Sequence, residues 1–206
     1  MANTNVYFDG FNLYYGSLQG SPNKWLDLDA LCGVLLPSDH IHRIRYFTAL
    51  ITARPGDDPQ KPQRQQTYLR ALDSIPHLTI HYGYFLTTKV RMKVVAPPPN
   101  TIEVYKTEEK GSDVNIASYL LLDAAKGDCD VAVIVSNDSD LKEPIELAQS
   151  EFGIKVGVVN PHPPKKRSLV LKPTFFKQLR TNALKRSQFA NSIHDSLGTI
   201  QKPSAW

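Results

Sequence analysis

Cysteine is nearly absent from this chain: Cys32 and Cys129 are the only two in 206 residues. They build neither a disulfide framework nor a Cys-rich zinc site, so a reducing, cytoplasmic compartment is expected and both thiols read as core residues. Histidine does not fill the gap. His40, His42, His77, His81, His162 and His194 are scattered, and no His or Cys pair has zinc-ligand spacing. Long apolar runs are missing too. No window holds eighteen uninterrupted apolar residues, and MANTNVYFDG has no basic start leading into an apolar stretch, so neither a spanning helix nor a signal peptide is expected, and no membrane partner. A Gly-x-Ser-x-Gly elbow and a Walker loop are also lacking, which leaves acyl transfer and P-loop chemistry without a scaffold.

The charge that is present lies unevenly. The net value is +4, but from Pro161 onward there are nine basic residues and one acid, Asp195, so residues 161–206 carry +8 and the first 160 carry −4. An acidic-leaning body with a basic tail suits a metal site served by an extension that attracts polyanions; a merely solvated tail is the alternative.

Asn5–Phe8 is a short apolar run ended by Asp9-Gly10 and predicts a first buried strand. Helical spacing runs over Trp25–Leu36 and stops at Pro37, and Ile41–Ile51 predicts a second strand. Arg54–Gln63, with three prolines and Gly56, predicts a loop without regular structure. Arg64–Ser74 reads as helix and Leu78–Leu86 as strand. Lys89–Ala96 and Ile102–Lys106 flank Pro97-Pro98-Pro99-Asn100, which predicts a two-stranded arm over about 87–106. Ser112–Ala125 is expected as a helix capped by Ser112, Asp130–Val135 as a strand buried on both faces, Leu141–Glu151 as a helix and Ile154–Val159 as the last strand. Strands alternating with helices imply right-handed crossovers. The expected fold is a three-layer α/β/α sandwich with a central, mainly parallel sheet plus a β-hairpin arm, residues 1–160 forming the domain and 161–206 a basic C-terminal extension.

In such sheets ligands bind beyond the carboxyl ends of the strands, where the strand order reverses. Acids stand at those ends. Asp9 follows the first strand, Asp138 and Asp140 follow Val131–Val135, and Asp113 opens the helix after Lys110-Gly111, where the helix dipole favours a carboxylate. Packed carboxylates repel one another unless a cation sits among them, and an all-oxygen cluster selects Mg²⁺ or Mn²⁺. Each acid also has a plainer reading: Asp9-Gly10 as a turn, Asp138 and Asp140 as a helix cap, Asp113 as a dipole-favoured first-turn acid. Asn12, Asn115, Ser136 and Lys110 are placed to support an acid or touch a phosphate, and each serves equally well structurally. Asp123, ten residues after Asp113, falls on another face of the helix and stays outside the site. Arg64, with Tyr68 and Arg70, lies on a helix where it can track a nucleic-acid backbone. Lys89, Arg91, Lys93, Tyr105 and Lys106 mix charge with an aromatic in the arm, and Lys165, Lys166 and Arg167 open the tail; both suit single-stranded nucleic acid.

Three ordered segments, VYFDGFNLYYG, EKGSDVNIASYLLLDA and VIVSNDSDL, resemble the NYN family, the PIN-related group of predicted nucleases, across roughly residues 4 to 160. The resemblance implies a PIN-like fold, a divalent-metal site and endonucleolytic cleavage of RNA. It matches Asp9 to the first-strand acid, Asn12 to its companion, Asp113 to the helix acid, and Asp138 and Asp140 to the pair after the fourth strand. Metal ligation falls to Asp9, Asp113 and Asp138. Two positions depart from the pattern: Tyr119 stands where many relatives carry a further acid, and Asn137 where many carry glycine. The leading expectation is therefore a Mg²⁺- or Mn²⁺-dependent endoribonuclease acting on single-stranded RNA. The alternative is a catalytically weak or inactive RNA-binding module of the same fold. A phosphatase with Asp9 as nucleophile is a third reading, but Phe11 occupies the place of its second acid. The sequence leaves oligomeric state open, a homo-oligomer included.

Overall fold

The computed structural model describes residues 1–53, 56 and 58–206. In chain order the first half forms β1 (Asn3–Asp9), the short helix α1 (Gly10–Leu13) running into a π-helical turn (Tyr14–Leu18), α2 (Leu28–Leu35), β2 (His40–Thr48), α3 (Lys61–Asp73) and β3 (Leu78–Tyr82). Next come β4 (Tyr84–Lys93) and β5 (Thr101–Lys110), then α4 (Ser112–Lys126), β6 (Val131–Val135), α5 (Lys142–Ser150) and β7 (Lys155–Asn160). The chain finishes with β8 (Phe175–Gln178), α6 (Thr181–Arg186) and the hairpin β9 (Ser192–Asp195) and β10 (Gly198–Gln201).

Six strands make one sheet in the order β3-β2-β1-β6-β7-β8, and every pairing in it is parallel. The chain steps outward from β1 to β3, then returns to the other side of β1 and steps outward again. The order therefore reverses between β1 and β6, and a crevice forms there at their carboxyl ends. Alternation along β1 builds the two outer layers. Val6 and Phe8 face the core under α2 and α3, with Trp25, Leu31 and Leu72, while Tyr7 faces the core under α4 and α5, with Ile116, Leu120 and Ile145. The result is a three-layer α/β/α sandwich.

Several boundaries differ from expectation for identifiable reasons. Helix α2 starts at Leu28 because the Asp27 carboxylate accepts from the backbone N–H groups of Asp29 and Ala30. Helix α3 begins inside the expected loop, since Pro62 lies in its first turn, where a proline removes no helical hydrogen bond; Arg54, Pro55 and Asp57 of that loop lie outside the described residues. The strand expected through Leu86 breaks at Gly83, so the arm spans Tyr84–Lys110 and is longer than 87–106. Ser112 is not the cap of α4. Gly111 takes that position at φ +103°, and Ser112 donates from its N–H and hydroxyl to Glu109 Oε1 at 3.3 and 2.9 Å.

The sheet does not end at Val159. Strand β8 pairs with β7, so the boundary expected at residue 160 falls inside the sheet. Leu171, Leu179, Leu184 and Ile200, all beyond it, are buried, and an Arg70–Asp195 ion pair ties the terminal hairpin to α3. Among the described residues no helix is long and apolar enough to cross a membrane.

Candidate active site

The crevice between β1 and β6 is organised around Asp9. Strand β1 delivers this carboxylate to its own carboxyl end, buried to 5% exposure. One oxygen accepts the N–H of Asn12 at 2.9 Å, capping α1, and the other accepts the Ser136 hydroxyl from the end of β6 at 2.9 Å. Burial pushes the Asp9 carboxyl up to about 6, against the pull of these two hydrogen bonds and with the charges of Asp113 and Asp138 adding to the rise.

Asp113, in the first turn of α4, is half-buried and also rises to about 6, through burial and the neighbouring charges of Asp138, Glu109 and Asp140. Asp138 caps the turn after β6, its Oδ1 accepting from Asp140 N–H at 2.9 Å, while its own N–H donates to Ser136 Oγ at 3.1 Å. Asp140 is exposed. The four aspartates thus share one edge and one another's field, and among the described residues none is ion-paired to a basic side chain.

They do not all meet at a point. Among the described residues no three His, Cys, Asp or Glu side chains stand in a metal-holding arrangement. The expected convergence of four acids is therefore looser than the motif implies, because Asp9 and Asp138 are turned toward backbone N–H groups that they cap. The donor chemistry nevertheless fits a hard divalent cation: every donor is a carboxylate or hydroxyl oxygen, and each bonded carboxylate oxygen keeps a spare lone pair.

The supporting residues divide. Ser136 is buried and donates its hydroxyl to Asp9. Asn12 supports Asp9 through its backbone only, since its side-chain oxygen accepts from Asn137 N–H at 3.0 Å. Asn115 lies half-buried in the first turn of α4. Lys110 ends β5 and pairs with Glu108 at 3.5 Å, outside the acid cluster. Tyr119 lies against His81, with centroids 4.1 Å apart, and beneath the Arg45 guanidinium at 4.5 Å, so its position carries an aromatic contact and no ligand. Asp123, kept out of the site, forms a two-bond pair with Arg45 at 2.7 and 2.8 Å and accepts from Tyr7 OH.

Two contributors were not anticipated. Glu109 raises Asp113 and holds the start of α4; its place at the foot of the arm becomes visible only once β5 is seen to reach Lys110. Asn137 ties three segments together: it donates N–H to Asn12, its amide donates to Lys166 O at 2.7 Å, and its Oδ1 accepts from Ser168 N–H at 2.8 Å. Its departure from the family glycine was the available signal. Through it Lys165, Lys166 and Arg167 are fixed beside the β6 turn, with the Arg167 guanidinium 3.6 Å from the centre of the Phe176 ring.

The other basic candidates are less uniform. Arg64 pairs with Asp58 at 2.5 Å. In the arm, register places Lys89, Arg91, Lys93 and Tyr105 on one face with Phe85 and Glu109, while Lys106 lies opposite Thr88 on the other face and pairs with Glu108 at 2.8 Å. Phe85 packs edge-on against Phe11 at 5.6 Å, so the face carrying Lys89, Arg91 and Lys93 is the one that meets the body two residues from Asp9.

Comparison with known proteins agrees with this architecture. A crystal structure of a protein of unknown function from Vibrio parahaemolyticus superposes with a TM-score of 0.55 at 17% identity, covering 88% of this chain and 94% of that one, a likeness of fold. A protein named 6-hydroxy-3-succinoylpyridine 3-monooxygenase HspA, from Pseudomonas putida, is 33% identical over 98% of this chain and 75% of its own length. The family model for the NYN domain matches residues 3–177, a span that runs from the first residue of β1 into β8. With Asp9, Ser136 and Asp138 gathered at the point where the sheet reverses, the chain belongs to the NYN domain family, a nuclease-like group.

Proposed function

We propose that the acidic edge takes up Mg²⁺ or Mn²⁺ through Asp9, Asp113 and Asp138, and that the protein is an endoribonuclease acting on single-stranded RNA. The observation carrying this reading is the cluster of carboxylates at the strand reversal, without basic partners among the described residues, two of them held up to about 6. Such a cluster gains most from a divalent counter-charge. A bound divalent ion supplies Lewis acidity toward a phosphodiester and neutralises the charge that develops on its oxygens. Ser136 and the Asn12 N–H fix the orientation of Asp9, Asp140 stands at the exposed rim beside Asp138, and the basic arm face together with Lys165, Lys166 and Arg167 offers a track for the RNA backbone.

The test is cleavage of a labelled single-stranded RNA in Mn²⁺ or Mg²⁺. Wild-type protein should cut and chelator should stop it, while Asp9→Asn should lose at least about a hundredfold in rate with an unchanged circular dichroism spectrum. Cutting by Asp9→Asn at the wild-type rate sinks the assignment. RNA binding that persists in chelator with no cleavage in any metal identifies the inactive binding module instead.

The identity over nearly the whole chain to a protein named for oxygenating a hydroxypyridine favours a second reading, oxygenation of a related ring. It predicts dioxygen uptake when the chain is given 6-hydroxy-3-succinoylpyridine and a reduced nicotinamide or flavin, the usual electron donors for such chemistry. Uptake no faster than in protein-free controls rejects it for that ring.

A further inference from the structure

A cavity of about 210 Å³ begins at Gly10 and Phe11, directly after Asp9. Its wall is unusually aromatic: Phe11, Tyr14, Tyr15, Tyr46, Tyr68 and Trp206 all line it. Three cations, Lys24, Lys61 and Arg64, line it as well, and among the described residues no acid lines it. Two features of the chain bring these groups together. The backbone at Gly10 comes so close to β2 that a Cβ there would meet Phe47 O and Tyr46 Oη at 2.7 Å, which sets α1 hard against Tyr46. The π-helical turn over Tyr14–Leu18 follows, a wider coil that recurs at functional sites, and it supplies both Tyr14 and Tyr15.

Part of this lining belongs to the core, with Tyr46 and Tyr68 in it and Tyr14 and Trp206 packed against it, whereas Phe11, Tyr15 and Lys24 stand outside it. Tyr46 and Tyr68 are buried, but Tyr15 is 59% exposed, and Tyr14, Phe11 and Lys24 are only half-buried. Among the described residues Lys24 makes no ion pair, and Arg64 meets only the exposed Asp58. Aromatic faces bind flat rings by stacking, and ammonium and guanidinium groups bind anions. The volume lies below the roughly 300–1,000 Å³ of sites for drug-sized ligands, so it suits one small ring system.

We infer that this cavity is a binding site for a flat heteroaromatic ring carrying an anionic group, the aromatic wall taking the ring and Lys24 with Arg64 taking the anion. A nucleotide of an RNA strand lying across the acidic edge and a free pyridine carboxylate both have this chemistry. The inference rests on the cavity alone and stands whether or not the acidic edge cleaves RNA.

The experiment is isothermal titration calorimetry on the full chain, in chelator so that no divalent ion contributes. The probes are adenosine and uridine 5′-monophosphate, nicotinate, and inorganic phosphate as the anion without a ring. At least one ring-bearing probe should bind more tightly than phosphate, and Tyr15→Ala and Lys24→Ala should each weaken it by on the order of tenfold while retaining the wild-type melting curve. Binding of the nucleotides alone assigns the cavity to an RNA base, and binding of nicotinate alone assigns it to free aromatic acids. The inference is overturned if no ring-bearing probe binds, if phosphate binds as tightly as the tightest ring-bearing probe, or if both folded variants bind like wild type. Should Tyr15→Ala not fold, Arg64→Gln serves in its place, since among the described residues Arg64 pairs only with the exposed Asp58.

Discussion

At the scale of single residues, two kinds of carboxylate are handled in opposite ways. Among the described residues Asp9 and Asp113 have no basic partner, and both rise to about 6. A carboxyl that holds its proton more tightly when folded than its ordinary value near 3.8 contributes stability below that value and loses it as pH rises through about 6. Metal-free protein should therefore be more stable at pH 5 than at pH 7, by about 1 kcal/mol for the buried Asp9 and less for the half-buried Asp113. Mn²⁺ should reverse the trend by competing with the protons, so metal-dependent activity should fall as pH drops below about 6; thermal melts at both pH values, with and without Mn²⁺, check both statements. Asp123 is the opposite case, buried yet bonded twice by Arg45. Asp123→Ala leaves that guanidinium buried without a partner and should cost about 3–5 kcal/mol in urea unfolding, far more than Asp140→Ala at the exposed rim. Of these roles, the edge position of Asp9, Asp113 and Asp138 was legible from strand ends and motif order. The partner of Asp123 was not, because Arg45 lies 78 residues away in sequence and periodicity says only which way a side chain faces.

At the scale of elements, the arm is a ribbon with two unlike faces. Tyr84, Leu86, Met92 and Ile102 share one face and are all substantially exposed, while Lys89, Arg91 and Lys93 share the other with Tyr105. The proline cluster foretold a hairpin, but charge composition alone grouped Lys106 with Lys89, Arg91 and Lys93 and did not separate the two faces. Its reach back to Tyr84 and Lys110 was hidden, since Leu78–Leu86 reads as one continuous β-rich run and only the turn at Gly83 divides it. Triple substitution of Lys89, Arg91 and Lys93 by Ala should weaken single-stranded RNA binding and flatten the log K against log salt plot by about 2, each lost phosphate contact contributing roughly 0.7. Lys106→Ala, on the other face and paired with Glu108, should leave the slope nearly unchanged. Equal effects from the two changes would refute the one-faced track.

At the scale of the whole molecule, the segment after residue 160 is both basic and structural. Charge composition made it look like an appendage, and that reading missed its sparse apolar residues. Leu171, Leu179, Leu184 and Ile200 are buried, and the Trp25 indole N–H donates to Ala190 O at 2.8 Å. Four such side chains, at about 1.5–3 kcal/mol each, rival the roughly 5–15 kcal/mol that holds a typical domain together. A chain truncated after Asn160 should therefore give no cooperative melt by near-ultraviolet circular dichroism, whereas charge reversal at Lys165 and Lys166, both exposed, should leave the melt intact. The arm has the contrary relation to the body. It leaves at Gly83 and re-enters at Gly111, and these two glycines stand side by side: a Cβ on Gly111 would lie 3.5 Å from the Gly83 Cα. Two chain ends that close form a socket: beyond the Phe85 contact with Phe11 and the Glu109 bonds to Ser112, a ribbon of another length or another sequence can be grafted while β3, α4 and the acidic edge keep their places. Evolution and protein engineering alike can then exchange this one cassette without rebuilding the body.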